Sequence, residues 1–523
     1  MSITGEAIIG GVQERGAAGS FKAWDPARRD YLEPSFHMVT PDQIDRACRL
    51  AGEAFDSFRA TSDQERARFL DTVAEQILAI GDELIERAMA ESGLPRVRLE
   101  GERMRTVNQL RMFASLLREG SWADARLDTP LPERAPPRPD LRMRMIGLGP
   151  VAVFAASNFP LAFSVAGGDT ASAFAAGCPV VLKAHSAHPG TSELVARAVA
   201  KAVQLCELPA GVFALLTGTG NGIGQALVGH PAIQAVGFTG SRSGGTALMA
   251  VAAARKQPIP VYAEMSSINP VFLMPHALES RAEEIGKNFA ASLTLGVGQF
   301  CTNPGLVLAV DGPGLSTFCK AATDALHATQ AAVMLNQNIA DSYRKGVDAL
   351  AGNAAVTTLA RLQHEEGKGA AALFRVSAEE FLKRHELHEE VFGPASVLVV
   401  CQDADQLREV AEVLEGQLTA TLQIDAEDYA AAKALLPVLE RKVGRILANG
   451  YPTGVEVSTA MVHGGPFPST ADGRSTSVGT GAIGRFLRPV CYQNMPAELL
   501  PEVLRDGNPL GTWRRRDGAL TKE

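Results

Sequence analysis

The sequence predicts an α/β protein with two domains, each built on a largely parallel sheet. Between residues 149 and 264, short apolar segments alternate with segments of helical periodicity. This pattern is typical of a doubly wound sheet covered by helices on both faces. The alternation resumes between residues 265 and 475. With 523 residues, the chain is also too long for a single hydrophobic core.

The N-terminal part is predicted to be helical. Apolar residues recur at helical spacing in residues 42–60 and 63–89, and a third helix, rich in arginine, is expected at residues 99–117. Residues 126–140 are rich in proline and arginine. They predict an extended connector between these helices and the first sheet.

The first sheet is expected to contain four apolar strands, at residues 149–155, 179–183, 212–216 and 235–238. Helices are predicted between them, at residues 168–176, 191–206 and 222–228. Thr191 or Ser192 is the expected N-cap of the second of these helices.

The second sheet is expected to contain five strands, at residues 270–274, 306–309, 396–400, 420–424 and 444–449. Helices are predicted between them, for example at residues 281–291 and 314–330. After residue 451 the chain is rich in Gly, Ser and Thr and is predicted to be loop-like. It ends in an apolar segment at residues 486–492 and a polar tail.

Bulk properties exclude several classes of function. The net charge of −8 argues against a nucleic-acid-binding protein, which would carry a basic face. Seven scattered cysteines predict reduced thiols in a cytoplasmic protein. No apolar stretch reaches the length of a membrane span, and no signal peptide pattern is present at the N-terminus. His385 and His388 lack the i,i+4 spacing of a helical metal pair, so no metal site is expected.

A cysteine in a loop of small and polar residues could carry the chemistry. Cys301 ends the run Gly-Gln-Phe-Cys, and Glu264 ends an apolar segment upstream. A thiolate can form a thioester with an acyl group, and a carboxylate can activate water to hydrolyse it. A buried packing cysteine near an unrelated acid is the alternative. Asn158 follows the first strand and could donate to an oxyanion, or could simply form a turn.

Two other segments could contact a dinucleotide. The run Phe-Thr-Gly-Ser-Arg-Ser-Gly-Gly at residues 238–245 follows a strand and opens a helix, where free N–H groups can face a pyrophosphate. An ordinary helix cap is the alternative. Lys183 ends the second strand and could reach a ribose or phosphate, or could be solvated. The glycine-rich run 218–224 has the wrong spacing for a dinucleotide turn and is interpreted as a flexible loop.

Taken together, these segments resemble the aldehyde dehydrogenase superfamily over nearly the whole chain. The resemblance implies that Cys301 is the nucleophile, Glu264 the general base and Asn158 the oxyanion donor. It implies a cofactor site in which Glu390 holds the nicotinamide ribose and Phe392 lies against the nicotinamide, through the run Glu-Val-Phe-Gly-Pro at residues 390–394. The other cofactor-binding residues that we predict are Lys183, Ser186, Gly240, Ser241 and Gly245.

The resemblance also implies a domain organisation. A Rossmann-like dinucleotide-binding domain is expected at residues 1–125 and 146–264, and a catalytic domain at residues 265–475. Residues 126–145 and 476–500 are expected to form a small β oligomerisation arm, followed by a C-terminal tail at residues 501–523. The extended arms have unpaired edges that a second subunit could cover, so a homodimer or homotetramer is expected.

Departures from the family pattern are informative. The family's common Leu-Glu-Leu-Gly-Gly-Lys is replaced by Ala-Glu-Met-Ser-Ser-Ile at residues 263–268, and a serine, Ser157, precedes Asn158. Members that prefer NAD often carry an acidic residue three positions after the strand-end lysine, where this chain has Ser186. A carboxylate would repel a 2′-phosphate, whereas a hydroxyl can donate to it. We therefore expect NADP or NAD as cofactor, with NADP favoured.

The C-terminal runs at residues 463–479 and 485–494 resemble the branch that oxidises 2,5-dioxopentanoate (2-oxoglutarate semialdehyde) to 2-oxoglutarate. Such an aldehyde acid needs a cation or several donors for its carboxylate. The predicted substrate-binding residues are Phe159, Gln109 and Arg474, with Arg103 and Arg105 as further candidates. Alternatives are an NADP-dependent dehydrogenase of fatty or simple aliphatic aldehydes, an enzyme that transfers its acyl group to coenzyme A, and a catalytically silent structural relative.

Overall fold

The computed structural model describes residues 3–523 and confirms the α/β fold class. The N-terminal part contains strands, four consecutive helices and the first two strands of an arm. These are β1 (Ala7–Ile9), β2 (Val12–Glu14), β3 (Ser20–Asp25), β4 (Asp30–His37), α1 (Pro41–Arg59), α2 (Asp63–Ile80), α3 (Asp82–Ser92), α4 (Arg96–Glu119), β5 (Arg126–Asp128) and β6 (Leu141–Gly147).

The prediction of one helix over residues 63–89 was wrong. Gly81 adopts a positive φ of 70° and separates α2 from α3, because the left-handed region is open to glycine. Polar caps fix the starts of the first two helices. Thr40 and Ser62 each form a capping box with the residue three positions later.

The first seven-stranded sheet has the order β11-β10-β7-β8-β9-β1-β2, with all neighbours parallel except at β1 and β2. The strands β8 and β9 lie on one side of β7, and β10 and β11 lie on the other side. The carboxyl ends of β7 and β10 therefore flank the crevice where doubly wound sheets bind ligands. The elements of this part are β7 (Val151–Phe154), α5 (Gly168–Ala175), β8 (Val180–Lys183), α6 (Pro189–Leu205), β9 (Phe213–Leu216), α7 (Gly222–Gly229), β10 (Ala235–Thr239), α8 (Arg242–Ala253) and β11 (Val261–Glu264).

The prediction of Thr191 or Ser192 as the N-cap of α6 was also wrong. The helix begins at Pro189, and its first N–H groups are satisfied by a distant carboxylate. The backbone N–H groups of Gly190 and Thr191 each donate to Glu91 at 2.8 Å. A tertiary contact therefore does the work of a local cap.

The second seven-stranded sheet has the order β15-β17-β18-β13-β12-β19-β20, with only β15 antiparallel. The elements of this part are β12 (Val271–Leu273), α9 (Pro275–Thr294), β13 (Leu306–Val310), α10 (Pro313–His327), β14 (Ala332–Val333), α11 (Gln337–Gly352), β15 (Thr357–Arg361), β16 (Lys368–Gly369), β17 (Ala372–Ser377), α12 (Ala378–Lys383), β18 (Ala395–Cys401), α13 (Ala404–Val413), β19 (Gln417–Gln423), α14 (Tyr429–Lys442) and β20 (Val443–Ala448). The nine strands predicted for the two sheets are all present, with ends that differ by at most three residues. Apolar clusters fill both faces of each sheet.

The arm is a five-stranded sheet of order β21-β6-β5-β22-β23. It contains β21 (Leu487–Gln493), β22 (Arg514–Arg516) and β23 (Ala519–Thr521) beside β5 and β6. The C-terminal residues are thus not a simple polar tail, because β22 pairs with β5. Within residues 3–523, β21 pairs with a strand on one side only. The proposed domain boundaries themselves stay a prediction.

A long loop, residues 449–479, returns from the second sheet to the end of β11. The backbone N–H of Met265 donates to the Ser469 carbonyl at 2.8 Å, and the N–H of Ala471 donates to the Ala263 carbonyl at 2.8 Å. This return loop carries distant residues to the carboxyl end of β11. Over residues 3–523, the helices are all too short or too polar to cross a membrane.

Candidate active site

Three reactive side chains meet where the return loop crosses the end of β11. The Nε2 atom of His463 lies 3.3 Å from the Sγ atom of Cys301 and 2.9 Å from the Oε1 atom of Glu264. The Ser477 hydroxyl donates to the other carboxylate oxygen of Glu264 at 3.0 Å. Glu264 and His463 are 4% and 1% exposed. Because a carboxylate accepts hydrogen bonds, the Nε2 atom carries a proton and donates to Glu264, and the Cys301 sulfur lies within reach of the same N–H group.

The loop before Cys301 has an unusual backbone. Gly296, Val297 and Gly298 have φ values of 55°, 60° and 63°, and a β-branched residue rarely adopts this region. A Cβ atom on Gly298 would lie 2.4 Å from the backbone of Gly393 and Pro394. The turn that presents the cysteine is thus packed directly on the Glu-Val-Phe-Gly-Pro segment. Its strain is of the kind found at functional sites.

Asn269 fixes the loop from the other side. Its amide nitrogen donates to the carbonyl of Cys301 at 2.8 Å and to the carbonyl of Asn303 at 2.9 Å. Asn269 itself has a positive φ of 47° and is fully buried. The cysteine backbone is therefore held by a side chain from the segment that follows Glu264.

Burial and charge set the protonation of the pair. Burial, and then the neighbouring Glu264 carboxylate, raise the pKa of Cys301 well above its usual value. Burial alone would raise the pKa of Glu264, but His463, Cys301 and Ser477 outweigh it and lower that pKa. In the resting site the carboxylate is charged and the thiol is protonated. The thiol therefore needs a base before it can act as a nucleophile.

Asn158 lies beside the nucleophile loop, as expected for an oxyanion donor. Its amide nitrogen donates to the carbonyl of Gln299 at 3.1 Å, and the side chain is 7% exposed. Its own carbonyl accepts from Arg98 at 2.8 Å. The Cys301 backbone N–H faces its own sulfur and slightly lowers the thiol pKa. The structure thus places the Asn158 amide two residues from Cys301 along the nucleophile loop, and its role as an oxyanion donor stays a prediction.

Aromatic rings surround the approach to Cys301. Phe159 packs edge-on against Phe300 with ring centroids 5.6 Å apart and against Phe163 at 5.2 Å. The guanidinium of Arg98 lies over Phe300 at 4.5 Å and over Phe159 at 5.0 Å. The structure thus places the predicted substrate-binding residue Phe159 next to the nucleophile loop.

The other predicted substrate-binding residues are less favourably placed. Arg474 has 90% of its side chain exposed and pairs with Asp472 at 2.8 Å. Gln109 is fully buried, and a Cβ on Gly168 would lie 2.6 Å from its amide nitrogen. Arg103 donates to the carbonyl of Gly81, between α2 and α3. The contacts of Arg474 and Arg103 give no support to roles in substrate binding. The buried amide of Gln109 has no hydrogen-bond partner, so its role stays a prediction.

The cofactor-binding candidates gather at the carboxyl ends of β8 and β10. Lys183 ends β8, and within residues 3–523 no carboxylate lies within 4.0 Å of its ammonium group. Burial lowers the pKa of Lys183 to about 8. Ser186 follows in the same loop and is partly exposed. An unpaired, half-buried lysine beside a hydroxyl suits an anionic or hydroxyl-rich ligand such as a dinucleotide.

The start of α8 forms the neighbouring part of this site. Ser241 is the N-cap, and its hydroxyl accepts from the N–H of Gly244 at 3.2 Å. Gly240 precedes it in the turn. Gly245 packs on Met265, where a Cβ would lie 2.6 Å from the sulfur. The helix start is thus close to both the sheet edge and Glu264.

Glu390 and Phe392 border one cavity together with Gly298 and Ser267. Burial raises the pKa of Glu390 to about 8, although the Ser266 hydroxyl and the Ser267 N–H oppose this shift. Near neutral pH this carboxyl group is therefore largely protonated. The structure thus places these two predicted residues around the same cavity as Gly298 of the nucleophile loop.

The sequence reasoning missed His463 and Ser477 as members of the site. His463 was noted only within a run that resembles one branch of the family, because nothing local marks it as a partner of Cys301. Contacts across 162 and 199 residues join it to Cys301 and Glu264. The ligand atoms of these three residues lie within 4.8 Å of one another, which is also close enough to share a metal ion. The expectation that the site holds no metal stays a prediction.

Comparison with known proteins identifies the family. Residues 14–478 match the aldehyde dehydrogenase family. The chain is 58% identical to alpha-ketoglutaric semialdehyde dehydrogenase 2 of Azospirillum brasilense, over 99% of both chains. It is 50% identical to alpha-ketoglutaric semialdehyde dehydrogenase of Acinetobacter baylyi, over 96% of this chain and 95% of the relative. Betaine aldehyde dehydrogenase of Staphylococcus aureus, solved with NAD+, shares the fold with a TM-score of 0.80 and 18% identity, covering 95% of this chain and 98% of that one.

Proposed function

Because the chain belongs to the aldehyde dehydrogenase family, we propose that it oxidises 2,5-dioxopentanoate (2-oxoglutarate semialdehyde) to 2-oxoglutarate, with NADP or NAD. The observation that carries the proposed mechanism is the contact of Cys301, His463 and Glu264 within hydrogen-bonding distance. The names of its two close relatives support this choice of substrate over a fatty or simple aliphatic aldehyde. The retained Glu264 favours release to water over transfer to coenzyme A.

The first step is activation of the thiol. Glu264 takes the proton from the Cys301 sulfur, the Nε2–H of His463 lies beside the resulting thiolate, and the thiolate attacks the aldehyde carbon. The carbonyl oxygen becomes an alkoxide as the C–S bond forms. The Asn158 amide and the Cys301 N–H donate hydrogen bonds to this oxyanion. One such donor typically lowers the barrier by about 3 kcal/mol.

We assign the cofactor to the carboxyl ends of β7, β8 and β10, because Lys183 at the end of β8 has no carboxylate partner among residues 3–523. Lys183, Ser186 and the N-terminus of α8 would hold its adenosine and phosphate groups, and Glu390 and Phe392 would hold the nicotinamide ribose and ring. When bound, the nicotinamide supplies the acceptor for the hydride that the tetrahedral carbon loses. The chain's part in this step is to hold the oxyanion in place with the Asn158 amide and the Cys301 N–H, while the C–S bond keeps the carbon on Cys301.

The second half of the reaction is hydrolysis of the acyl group on Cys301. Glu264, with His463 beside it, takes a proton from a water molecule, whose oxygen then attacks the thioester carbon. The C–S bond breaks, the acid leaves with the oxygen of water, and the sulfur recovers a proton. Ser477 keeps the Glu264 carboxylate oriented during this step.

We also infer that NADP is preferred to NAD. Ser186 places no negative charge beside Lys183, so a 2′-phosphate meets a hydroxyl and an ammonium group and no repelling carboxylate. The unpaired edge of β21 further supports a homodimer or homotetramer, in which a second subunit covers that strand.

The substrate proposal can be tested by steady-state kinetics. We expect kcat/KM for 2,5-dioxopentanoate to exceed that for hexanal by tenfold or more, with each cofactor in turn. The Cys301→Ala enzyme should lose activity on both aldehydes. A preference for hexanal would refute the assigned substrate, and formation of an acyl-CoA on addition of coenzyme A would refute hydrolysis as the second step.

A further inference from the structure

One face of α4 turns a row of polar side chains toward the active site. Arg98, Glu102, Arg105 and Gln109 follow one another at spacings of four, three and four residues, which places them on one face of a helix. Apolar residues are the usual occupants of such a face in a helix packed against a core. Polar side chains at this position need hydrogen-bond partners, and the four residues differ in how many they have.

Two members of the row hold the loop that carries Asn158. Arg98 donates to the Asn158 carbonyl, and Glu102 accepts the backbone N–H groups of Leu161 at 2.8 Å and Ala162 at 3.0 Å. Arg98 and Glu102 also pair with each other at 4.0 Å. Their contacts are sufficient to explain their presence as positioning residues.

Each residue of the row has at least one buried polar atom without a partner, but Arg105 is the cation in the row that has two such donors. Its Nη1 atom donates to the carbonyl of Val455. Its Nε and Nη2 atoms are buried and have no hydrogen-bond partner. These two nitrogen atoms form one edge of the guanidinium, the edge that binds both oxygens of a carboxylate. A buried donor without an acceptor costs free energy, so this edge is a candidate for binding a ligand that accepts hydrogen bonds.

The position of Arg105 relates this edge to the reaction. The charges that act on its guanidinium belong to Glu102, Cys301, Glu456 and Glu264, so the group lies within electrostatic range of the nucleophile and the base. It also lies 5.8 Å from the ring of Phe163, which packs on Phe159. Arg105 is therefore on the substrate side of the site.

A second arginine fixes the loop on which Arg105 rests. Arg445, on β20, donates to the carbonyls of Pro452 at 2.6 Å and Gly454 at 3.0 Å. The Thr453 hydroxyl is 2.7 Å from that of Ser292. Residues 452–455 are thus held from three directions, which leaves the guanidinium of Arg105 in one orientation.

From this geometry we propose that Arg105 binds the carboxylate at the far end of the substrate through its Nε and Nη2 atoms. The substrate class is an aldehyde with a second, ionised carboxylate a few carbon atoms away, and the assignment rests on the proposed function above. Among the arginines considered from the sequence, Arg103 bonds to Gly81 and Arg474 pairs with Asp472 at the surface. Arg105 has a free bidentate edge on the substrate side.

The test compares two substrates in three variants. Arg105→Gln removes the charge and the fork, Arg105→Lys keeps the charge alone, and Arg111→Gln is a matched change at an exposed position of the same helix. For Arg105→Gln we expect kcat/KM on 2,5-dioxopentanoate to fall by about 10- to 150-fold, because a hydrogen-bonded charge is lost. The change should appear mainly in KM. On hexanal the same variant should stay within about threefold of the natural enzyme, since hexanal has no carboxylate.

Product inhibition gives an independent readout. The inhibition constant of 2-oxoglutarate should rise in Arg105→Gln, rise less in Arg105→Lys, and stay unchanged in Arg111→Gln. If Arg105→Gln does not fold, Arg105→Lys carries the test, with the same selective loss expected at smaller size.

Two outcomes would overturn the inference. An equal loss on both aldehydes would show that Arg105 only supports the fold, and an unchanged preference would show that another group binds the carboxylate. These outcomes are distinct from failure of the proposed function, which would appear in the natural enzyme as a preference for hexanal.

Discussion

His463→Gln should slow both acylation and thioester hydrolysis. The imidazole Nε2 lies between the sulfur of Cys301 and the carboxylate of Glu264, at 3.3 and 2.9 Å. A hydrogen bond to a charged group is worth about 1.5–3 kcal/mol. Its loss from the transition state corresponds to about a 10- to 150-fold fall in rate. Glutamine keeps a polar side chain of similar length but lacks the imidazole ring that lies between the sulfur and the carboxylate.

Rapid mixing separates the two steps. We expect the burst of reduced cofactor, which reports acylation, to slow by about the same 10- to 150-fold. Iodoacetamide alkylation of Cys301 in the free enzyme should slow as well, because the thiolate has lost the imidazole N–H group that lies 3.3 Å from its sulfur. His230→Gln is the matched control, since His230 pairs with Asp45 at the surface of the first domain.

Two results would refute this reasoning. An unchanged burst rate in His463→Gln would mean that Glu264 alone ionises the thiol and that the imidazole only fills space. Equal slowing in His230→Gln would mean that the effect is a general loss of stability, which a thermal unfolding curve of each variant would reveal.

Two further predictions concern the cofactor site. Ser186→Glu should lower kcat/KM for NADP by at least about tenfold, because the new carboxylate repels the 2′-phosphate. The value of kcat/KM for NAD should change by less than about threefold. A parallel change with both cofactors would contradict the placement of Ser186. Burial raises the pKa of Glu390 to about 8, so its carboxyl is mostly neutral at pH 7 and ionises as the pH rises through 8. The ionised form accepts stronger hydrogen bonds from ribose hydroxyls, so KM for the cofactor should fall between pH 7 and 9. Glu390→Gln should abolish this pH dependence. Identical pH profiles of KM in the two enzymes would contradict the role of Glu390.

Periodicity was sufficient to predict nine of the fourteen strands in the two sheets, because buried parallel strands form short apolar runs that stand out from amphipathic helices. The strands β1, β2, β11, β15 and β17 were not predicted. It failed where a single residue or a distant partner decides the structure. Gly81 ends α2 by adopting a positive φ, although the apolar pattern continues through it. The start of α6 depends on Glu91, which is about 100 residues away in sequence.

The same limit applies to the site. Cys301, Glu264 and Asn158 stand in recognisable motifs at strand ends and turns, and the structure brings all three to one place. His463 reaches them only through the return loop, whose path no local pattern specifies. Arg105 and Arg103 are indistinguishable in the sequence as arginines of one amphipathic helix. Their contacts in the folded chain distinguish them. Arg103 donates to the carbonyl of Gly81, whereas Arg105 donates to the carbonyl of Val455.

The central claim is that the acyl group passes through a covalent bond to Cys301 and leaves with the help of Glu264. Glu264→Gln keeps the volume of the side chain but removes the base for hydrolysis. It also removes the charge that raises the pKa of the Cys301 thiol, so the thiolate can form without this base and acylation should outpace hydrolysis. Intact-protein and peptide mass spectrometry after brief mixing of this variant with aldehyde and oxidised cofactor measures the claim directly. The account predicts one acyl adduct per chain on the peptide that contains Cys301. An adduct on another of the seven cysteines, or turnover of Glu264→Gln at the natural rate without an adduct, would contradict it.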